Sequence, residues 1–338
     1  MKLELFGHLV LTVCIFGSLF LFVAYAVYFE RKVAAKMQNR VGPDRVGWYG
    51  LLQPFADILK LLLKEEIIAT QATKLIHTLA PGISVIMAFI TFAMIPIAQG
   101  FYIADINIGM LYMMAVTSIG VYGVTLAGWS SNSKYSLLGS MRASAQMISY
   151  ELSMGLAVVG IILITQSMSV VSIVDSQTDN PFLWNIIKQP IGFLIFWIAS
   201  FAEANRLPFD LPESEQELVG GFHTEYSSMR FALFFFAEYT HLIVASSILT
   251  TLYLGGYQIP YSSVWLAGAN EWLVAGLQIL MFILKMCLFV FLFMWVRWTL
   301  PRFKYNHLME LGWKYLLPLG LINVVVTAGW LLIYDKLF

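Results

Sequence analysis

The chain has 338 residues, 59% of them hydrophobic and 12% charged, with 20 Lys+Arg set against 20 Asp+Glu. A soluble domain carries about a quarter charged residues, and a mean hydropathy of +0.76 excludes one here in favour of an integral membrane protein. The zero net charge is silent about partners, because charges are segregated by loop. Cys14 and Cys287 both lie in apolar runs, without the spacing of a disulfide framework or an iron–sulfur site.

A helix needs about 20 apolar residues to cross the hydrocarbon core. Eight stretches qualify: 5–29, 79–99, 108–129, 143–165, 185–204, 231–254, 274–296 and 315–334. The first follows Lys2 and has no small-residue cleavage site before Glu30-Arg31-Lys32, so it reads as a retained span, not a signal peptide. The fifth is the weakest, with fourteen uncharged residues between Lys188 and Glu203. It spans only by drawing Glu203 into or beside the membrane; a re-entrant segment, leaving seven crossings, is the alternative.

Eight spans place sixteen Lys and Arg on one side and only Lys2, Lys188 and Lys336 on the other. The positive-inside rule makes the rich side cytoplasmic and puts both termini outside. The expectation is one all-α membrane domain over residues 1–338, with inner loops at 30–78, 130–142, 203–230 and 297–314. The first of these carries an amphipathic helix from Leu51 to Ile67. Leu51, Phe55, Ile58, Leu59, Leu62 and Leu63 recur at helical spacing, while Gln53, Asp57, Lys60 and Lys64 form a polar stripe. Such a helix lies along the membrane surface, as a lipid anchor or as the flank of a side entrance for a lipid-like substrate.

The stretch 201–232 holds six of the twenty acidic residues: Glu203, Asp210, Glu213, Glu215, Glu217 and Glu225. Pro208 and Pro212 end the preceding helix, and Gly220-Gly221 loosens the return. Glu151 lies nine residues past Arg142 and Glu238 eight past Arg230, which sets both about 12–14 Å into the membrane at ~1.5 Å per residue. Glu203 enters from the same side. Lys285, twelve residues before Arg297, lies nearer the midplane. A carboxylate facing lipid costs on the order of 3 kcal/mol, so these groups face the bundle, pair, or line a wet path. A Glu238–Lys285 ion pair and a Glu203–Arg206 pair are the structural alternatives to a proton path.

No GxGxxG or Walker-type loop occurs, and His8, His77, His223, His241 and His307 are scattered without metal-ligand or haem-pair spacing. The residues alone leave three candidates: a quinone-and-proton module of a redox complex, a proton-coupled transporter, or a structural anchor. The transporter would be favoured by an inverted repeat, and the acidic and basic loops have no counterparts elsewhere in the chain.

Three blocks narrow the choice: ERKVAAKMQNRVGP (Glu30–Pro43), GWSSNSKYSLLGSMRASAQMISYE (Gly128–Glu151) and AEANRLPFDLPESEQELVGGFHTEY (Ala202–Tyr226). They closely resemble the H subunit of respiratory NADH:quinone oxidoreductase, subunit 1 of complex I in mitochondria. QPFADILKLLLKE (Gln53–Glu65) and RWTLPRFKY (Arg297–Tyr305) extend the resemblance essentially end to end. Membrane-bound hydrogenases carry a related subunit with looser versions of these blocks. Asn306 and Lys304 depart from the family's usual acid and Arg, which touches only the last inner loop.

The resemblance implies a subunit that anchors the hydrophilic arm and walls the quinone chamber, with no metal, flavin or iron–sulfur cluster of its own. It further implies ubiquinone or menaquinone as the substrate. Partners are the hydrophilic quinone-site and iron–sulfur subunits, small membrane subunits and antiporter-like subunits. It also implies that Arg31, Arg40 and Asp57 line the chamber, with Asp210, Glu213, Glu215, Glu217 and Glu225 beneath it. Glu151, Glu203, Glu238 and Lys285 would begin a proton path. Short loops and the lack of a transit peptide fit a bacterial plasma membrane, with the mitochondrial inner membrane as the alternative.

Overall fold

The structure is a computed structural model that describes residues 2–177, 180–211, 219–266 and 269–337, and apart from one isolated bridge between Ala98 and Phe101 its regular elements are helices. In chain order they are α1 (Lys2–Met37), α2 (Gln53–Leu63), α3 (Lys74–Ala93), α4 (Gly109–Ser130) and α5 (Lys134–Thr165). Then come α6 (Pro190–Glu203), α7 (Ser228–Tyr253) and α8 (Glu271–Thr299). The last helix is built in three pieces: α9 (Tyr305–Glu310), a π-helical stretch Leu311–Leu316, and α10 (Leu317–Leu337).

Among the described residues seven helices are long and apolar enough to cross a membrane: α1, α3, α4, α5, α7, α8 and the composite Tyr305–Ile333. The fifth predicted stretch, 185–204, is where sequence and structure differ. It divides into a single turn, Asn185–Lys188, and α6 of 14 residues, with Pro190 in the first turn of α6. Proline has no N–H to continue the preceding turn and favours a helix start. At ~1.5 Å per residue α6 is about 21 Å long, short of the roughly 30 Å hydrocarbon core. It packs on α5, α7 and α10.

Hydrogen bonds sort the loops onto two ends of the bundle. At one end the Thr73 amide donates to the Ser130 carbonyl (3.0 Å), and the Phe303 amide to the Pro208 carbonyl (3.1 Å). The Ser228 hydroxyl at the start of α7 donates to the Lys64 carbonyl just past α2 (2.9 Å). At the opposite end the Met110 amide donates to the Met168 carbonyl (2.9 Å), and the Asn185 side chain to the Leu252 carbonyl (2.8 Å). The chain thus leaves α5 at this opposite end and begins α7 at the first, with α6 between.

Long rows of large apolar side chains remain exposed, among them Phe20 and Leu21 on α1, Leu284 and Leu288 on α8, and Val325 and Trp330 on α10. Outward-facing apolar surface on this scale belongs in lipid or against other membrane chains. The main core runs between the helices through Leu19, Ile161, Phe196, Leu249 and Phe289. A smaller cluster of Ala80, Val124, Met147, Phe222, Tyr226 and Phe234 seats the return of the acidic loop. Gly139 on α5 makes that seat possible: a Cβ there would stand 2.8 Å from the Gly221 backbone.

The amphipathic helix forms as Gln53–Leu63, trimmed at both ends from the predicted Leu51–Ile67, with Pro54 buried in its first turn. Phe55, Ile58, Leu59, Leu62 and Leu63 are all exposed. Its apolar face therefore points away from the bundle, as an interfacial helix requires.

Candidate functional site

Two charged groupings meet at the end of the bundle that carries α2 and the acidic loop. The first joins four elements. Glu30 on α1 is 3% exposed and Arg206, just past α6, 1% exposed. The Arg206 Nη1 donates to both Glu30 oxygens (2.9 and 3.2 Å), and its Nε lies 2.7 Å from Glu238 Oε1 on α7. Arg297 on α8 donates from Nη1 to Glu30 as well. The Arg206 guanidinium also lies over the Tyr239 ring, 4.0 Å from its centroid, a cation–π arrangement. Burial works against the charge of Arg206, but Glu238 and Glu30 beside it hold its pKa well above the ordinary arginine value. Two acids and two bases leave this quartet neutral.

The second grouping surrounds a cavity of about 60 Å³. Glu151, Glu203 and Glu238 all line it, together with Ser84, Thr117, Asn205, His223 and His241. The Ser118 hydroxyl on α4 donates to Glu151, and Thr117 is the hydrogen-bond partner of Glu203. The three carboxylates expected on a common path thus line one cavity, and Glu238 belongs to both groupings.

Neither of the two ion pairs held as structural alternatives to a proton path forms. Glu238 pairs with Arg206 and not with Lys285. The Lys285 ammonium donates to three backbone carbonyls, Leu254 (2.8 Å), Gly256 (3.0 Å) and Gln258 (2.7 Å), and stands 4.2 Å from the Trp184 ring centroid. Those carbonyls lie just beyond the far end of α7, so Lys285 is drawn towards the opposite end of the bundle. Distance along α8 does not tell the direction in which the side chain turns. Likewise Arg206 is not held by Glu203; its backbone leaves the helix at Asn205 (φ 51°) and its side chain reaches Glu30 and Glu238 instead.

Of the residues expected around the chamber, Arg31 and Asp57 come together across α1 and α2 at 2.7 Å, and Gln53 donates to the other Asp57 oxygen at 2.9 Å. Both ends of the Arg31–Asp57 pair stay partly exposed. Arg40 is apart from them, donating to Gln38 at 2.7 Å. Asp210 is not a free loop acid: it is buried and accepts from Arg302 Nη2 at 2.7 Å, which ties the acidic loop to the segment before α9. Glu225 precedes Tyr226, whose ring stacks on His77 at 3.9 Å. Burial pushes the Tyr226 hydroxyl up to about 12. Glu213, Glu215 and Glu217 lie outside the described residues.

Sequence reasoning missed Glu30, Arg297 and Arg302 as partners, and it counted His241 only among scattered histidines. The available signals were slight. Glu30 begins the first charged triplet after a span, and His241 follows Glu238 by three residues, on the same helical face. Among the described residues no group of three His, Cys, Asp or Glu side chains converges as metal ligands would.

Comparison with known proteins agrees along nearly the whole chain. The family model described as NADH dehydrogenase matches residues 10–328. NADH-quinone oxidoreductase subunit 8 of Rhodothermus marinus is 54% identical over 334 residues, covering 97% of this chain and 98% of the relative. The H subunit of the same enzyme from Salinibacter ruber is 51% identical, covering 93% of each chain. The H subunit from Rickettsia bellii is 49% identical, covering 94% of this chain and 92% of the relative. The chain belongs to the H-subunit family of NADH-quinone oxidoreductase, as a multi-pass membrane component of that multi-subunit translocase.

Proposed function

We propose that this subunit couples quinone reduction to proton movement by having the acidic loop control the charge balance around Glu238. The carrying observation is the cavity of about 60 Å³ in which Glu151, Glu203 and Glu238 converge. A buried water needs roughly 10–15 Å³ and two to four polar partners, so this space accepts several. Glu238 lines that space on one side and pairs with Arg206, which lies outside the cavity, on the other. Arg206 lies in the segment leading into the acidic loop and shares it with Asp210. A displacement of the loop draws the guanidinium away from Glu238 and leaves a buried carboxylate without its cation. Desolvation then favours proton uptake, and the carboxylates and waters of the cavity distribute the proton. Return of Arg206 drives the proton off again.

In this reading Arg31, Asp57 and the α2 flank wall the quinone chamber, with Arg40 at its margin and the loop from Asp210 through Glu213, Glu215 and Glu217 to Glu225 beneath it. The quinone, ubiquinone or menaquinone, is reduced by iron–sulfur subunits docked on that face. Small membrane subunits and antiporter-like subunits take up the signal beside the carboxylates. Alternation of the loops between two ends supports eight crossings with α6 as the short one, and with it both termini outside a bacterial plasma membrane.

The test is Glu203→Gln against Glu203→Asp in assembled complex. Gln keeps the size and hydrogen bonding of the side chain but cannot ionise. Coupled quinone reductase activity per flavin is expected to fall at least fivefold in the Gln variant, with clear recovery in Asp. Near-normal turnover in Glu203→Gln would overturn the relay.

A further inference from the structure

Among the groups around the cavity, His241 is one that neither the family resemblance nor the ion pairs explain. It follows Glu238 by three residues on α7 and borders the same space as Glu151 and Glu203. Its ring lies against α4 at Gly120, where a Cβ would stand 3.7 Å from Cε1 and 3.9 Å from Nε2. Among the described residues no hydrogen-bond partner reaches the imidazole. Ser84 on α3, which lines the cavity beside it, has a buried hydroxyl that is likewise without a partner. The imidazole thus borders a cavity beside carboxylates from α5, α6 and α7, while the Ser84 hydroxyl is buried against Gly123 of α4.

We propose that His241 is a proton-carrying residue of this cavity, forming its α3/α4 end and exchanging protons through water with Glu238, Glu203 and Glu151. The proposal rests on the relay reading above and extends it by one group. A neutral imidazole donates from one nitrogen and accepts at the other. It takes a proton from a water on the carboxylate side at the bare nitrogen and releases one from the other nitrogen to water on the far side. The number of protons is unchanged, and a ring flip or return exchange resets the tautomer. Imidazole suits this step because one ring nitrogen accepts while the other donates, so a proton passes with no net change of charge on the ring. The charged and titratable groups that share its surroundings are Glu238 on its own helix, Glu151 on α5, Glu203 on α6 and His223 on the loop, with Arg206 behind Glu238.

The experiment compares His241→Gln, His241→Glu and Glu203→Gln in membranes containing the whole complex, normalised to bound flavin. His241→Gln is expected to lower coupled quinone reductase turnover at least threefold and to lower protons moved per electron. Oxidation of NADH by a hydrophilic artificial acceptor should stay unchanged. His241→Glu, which restores a protonatable group, should recover at least half of the loss. Wild-type turnover and proton stoichiometry in His241→Gln would overturn the proposal, and so would equal losses in the Gln and Glu variants, which would mark a packing role. If the Glu variant fails to assemble, His241→Asp takes its place, and if neither acid assembles the proton-to-electron ratio of His241→Gln decides alone. Glu203→Gln separates the two ideas: a collapse there with normal His241→Gln removes only His241, whereas normal turnover in Glu203→Gln removes the relay itself.

Discussion

The neutral quartet and the carboxylate cavity meet at Glu238, yet they treat buried charge in opposite ways. Around Arg206 every acid has a base, Arg206 and Glu30 are almost fully enclosed, and an aromatic ring covers the guanidinium. Around Glu203 and Glu151 the partners are hydroxyls, and the space beside them is open. Complete pairing fixes geometry, because removal of one partner strands the other. Carboxylates with only hydroxyl partners are poor glue but can change protonation. One region ties α1, α6, α7 and α8 together and, in the proposed coupling, strands Glu238 when the loop withdraws Arg206; the other can then take up the proton.

The sharpest break between the two regions is expected from Arg206→Leu. It leaves Glu30 and Glu238 short of a cation, a loss of about 3–5 kcal/mol for a buried pair. Assembled complex, read by flavin content of membranes, should fall at least tenfold. Arg206→Lys should recover part of the abundance, because it restores charge without the planar fork. Glu151→Gln, by contrast, should leave abundance within about twofold of wild type while cutting coupled turnover severalfold, and a loss of assembly there would move Glu151 into the structural region. Asp57→Asn is expected to be smaller still. The Arg31–Asp57 pair is partly exposed, and such pairs contribute about 0–1 kcal/mol. Assembly should be unaffected, and a drop of twofold or more in quinone reduction, with artificial-acceptor activity unchanged, would place Asp57 on the quinone side. A silent substitution would return α2 to the role of lipid anchor.

Much of this was legible from the chain, and the failures share a cause. Apolar run length located every long helix among the described residues, and counting residues from the flanking Arg put Glu151 and Glu238 at a similar distance from one end, where both line the same cavity. Depth and period say nothing about which distant side chain lies opposite. Glu30 and Arg206 are 176 residues apart, and nothing local in either announces the other. Lys285 shows the same limit: its position on α8 suggested a carboxylate partner, whereas the nearest acceptors are carbonyls of a loop turned back over the end of α7. The 185–204 segment was readable in part, because the short uncharged run already marked it as the weakest span. Pro190 then decided where its helix begins.

The π-helical stretch Leu311–Leu316 sets which changes of length the last helix can absorb. Its hydrogen bonds close one residue later than those of an α-helix, so the turn stores one additional residue without rotating the helix beyond it. On the near side the Tyr150 hydroxyl donates to the Leu308 carbonyl (2.9 Å), and on the far side the Asn323 amide donates to Gln189 (2.8 Å). Both faces are in phase only with that residue included. A relative one residue shorter between Met309 and Leu317 should therefore run as unbroken α-helix with the same two contacts intact. An insertion of one residue beyond Leu317 would instead swing Asn323 about 100° away from its partner. The last helix is tolerant of a length change at one turn and intolerant of it two turns later.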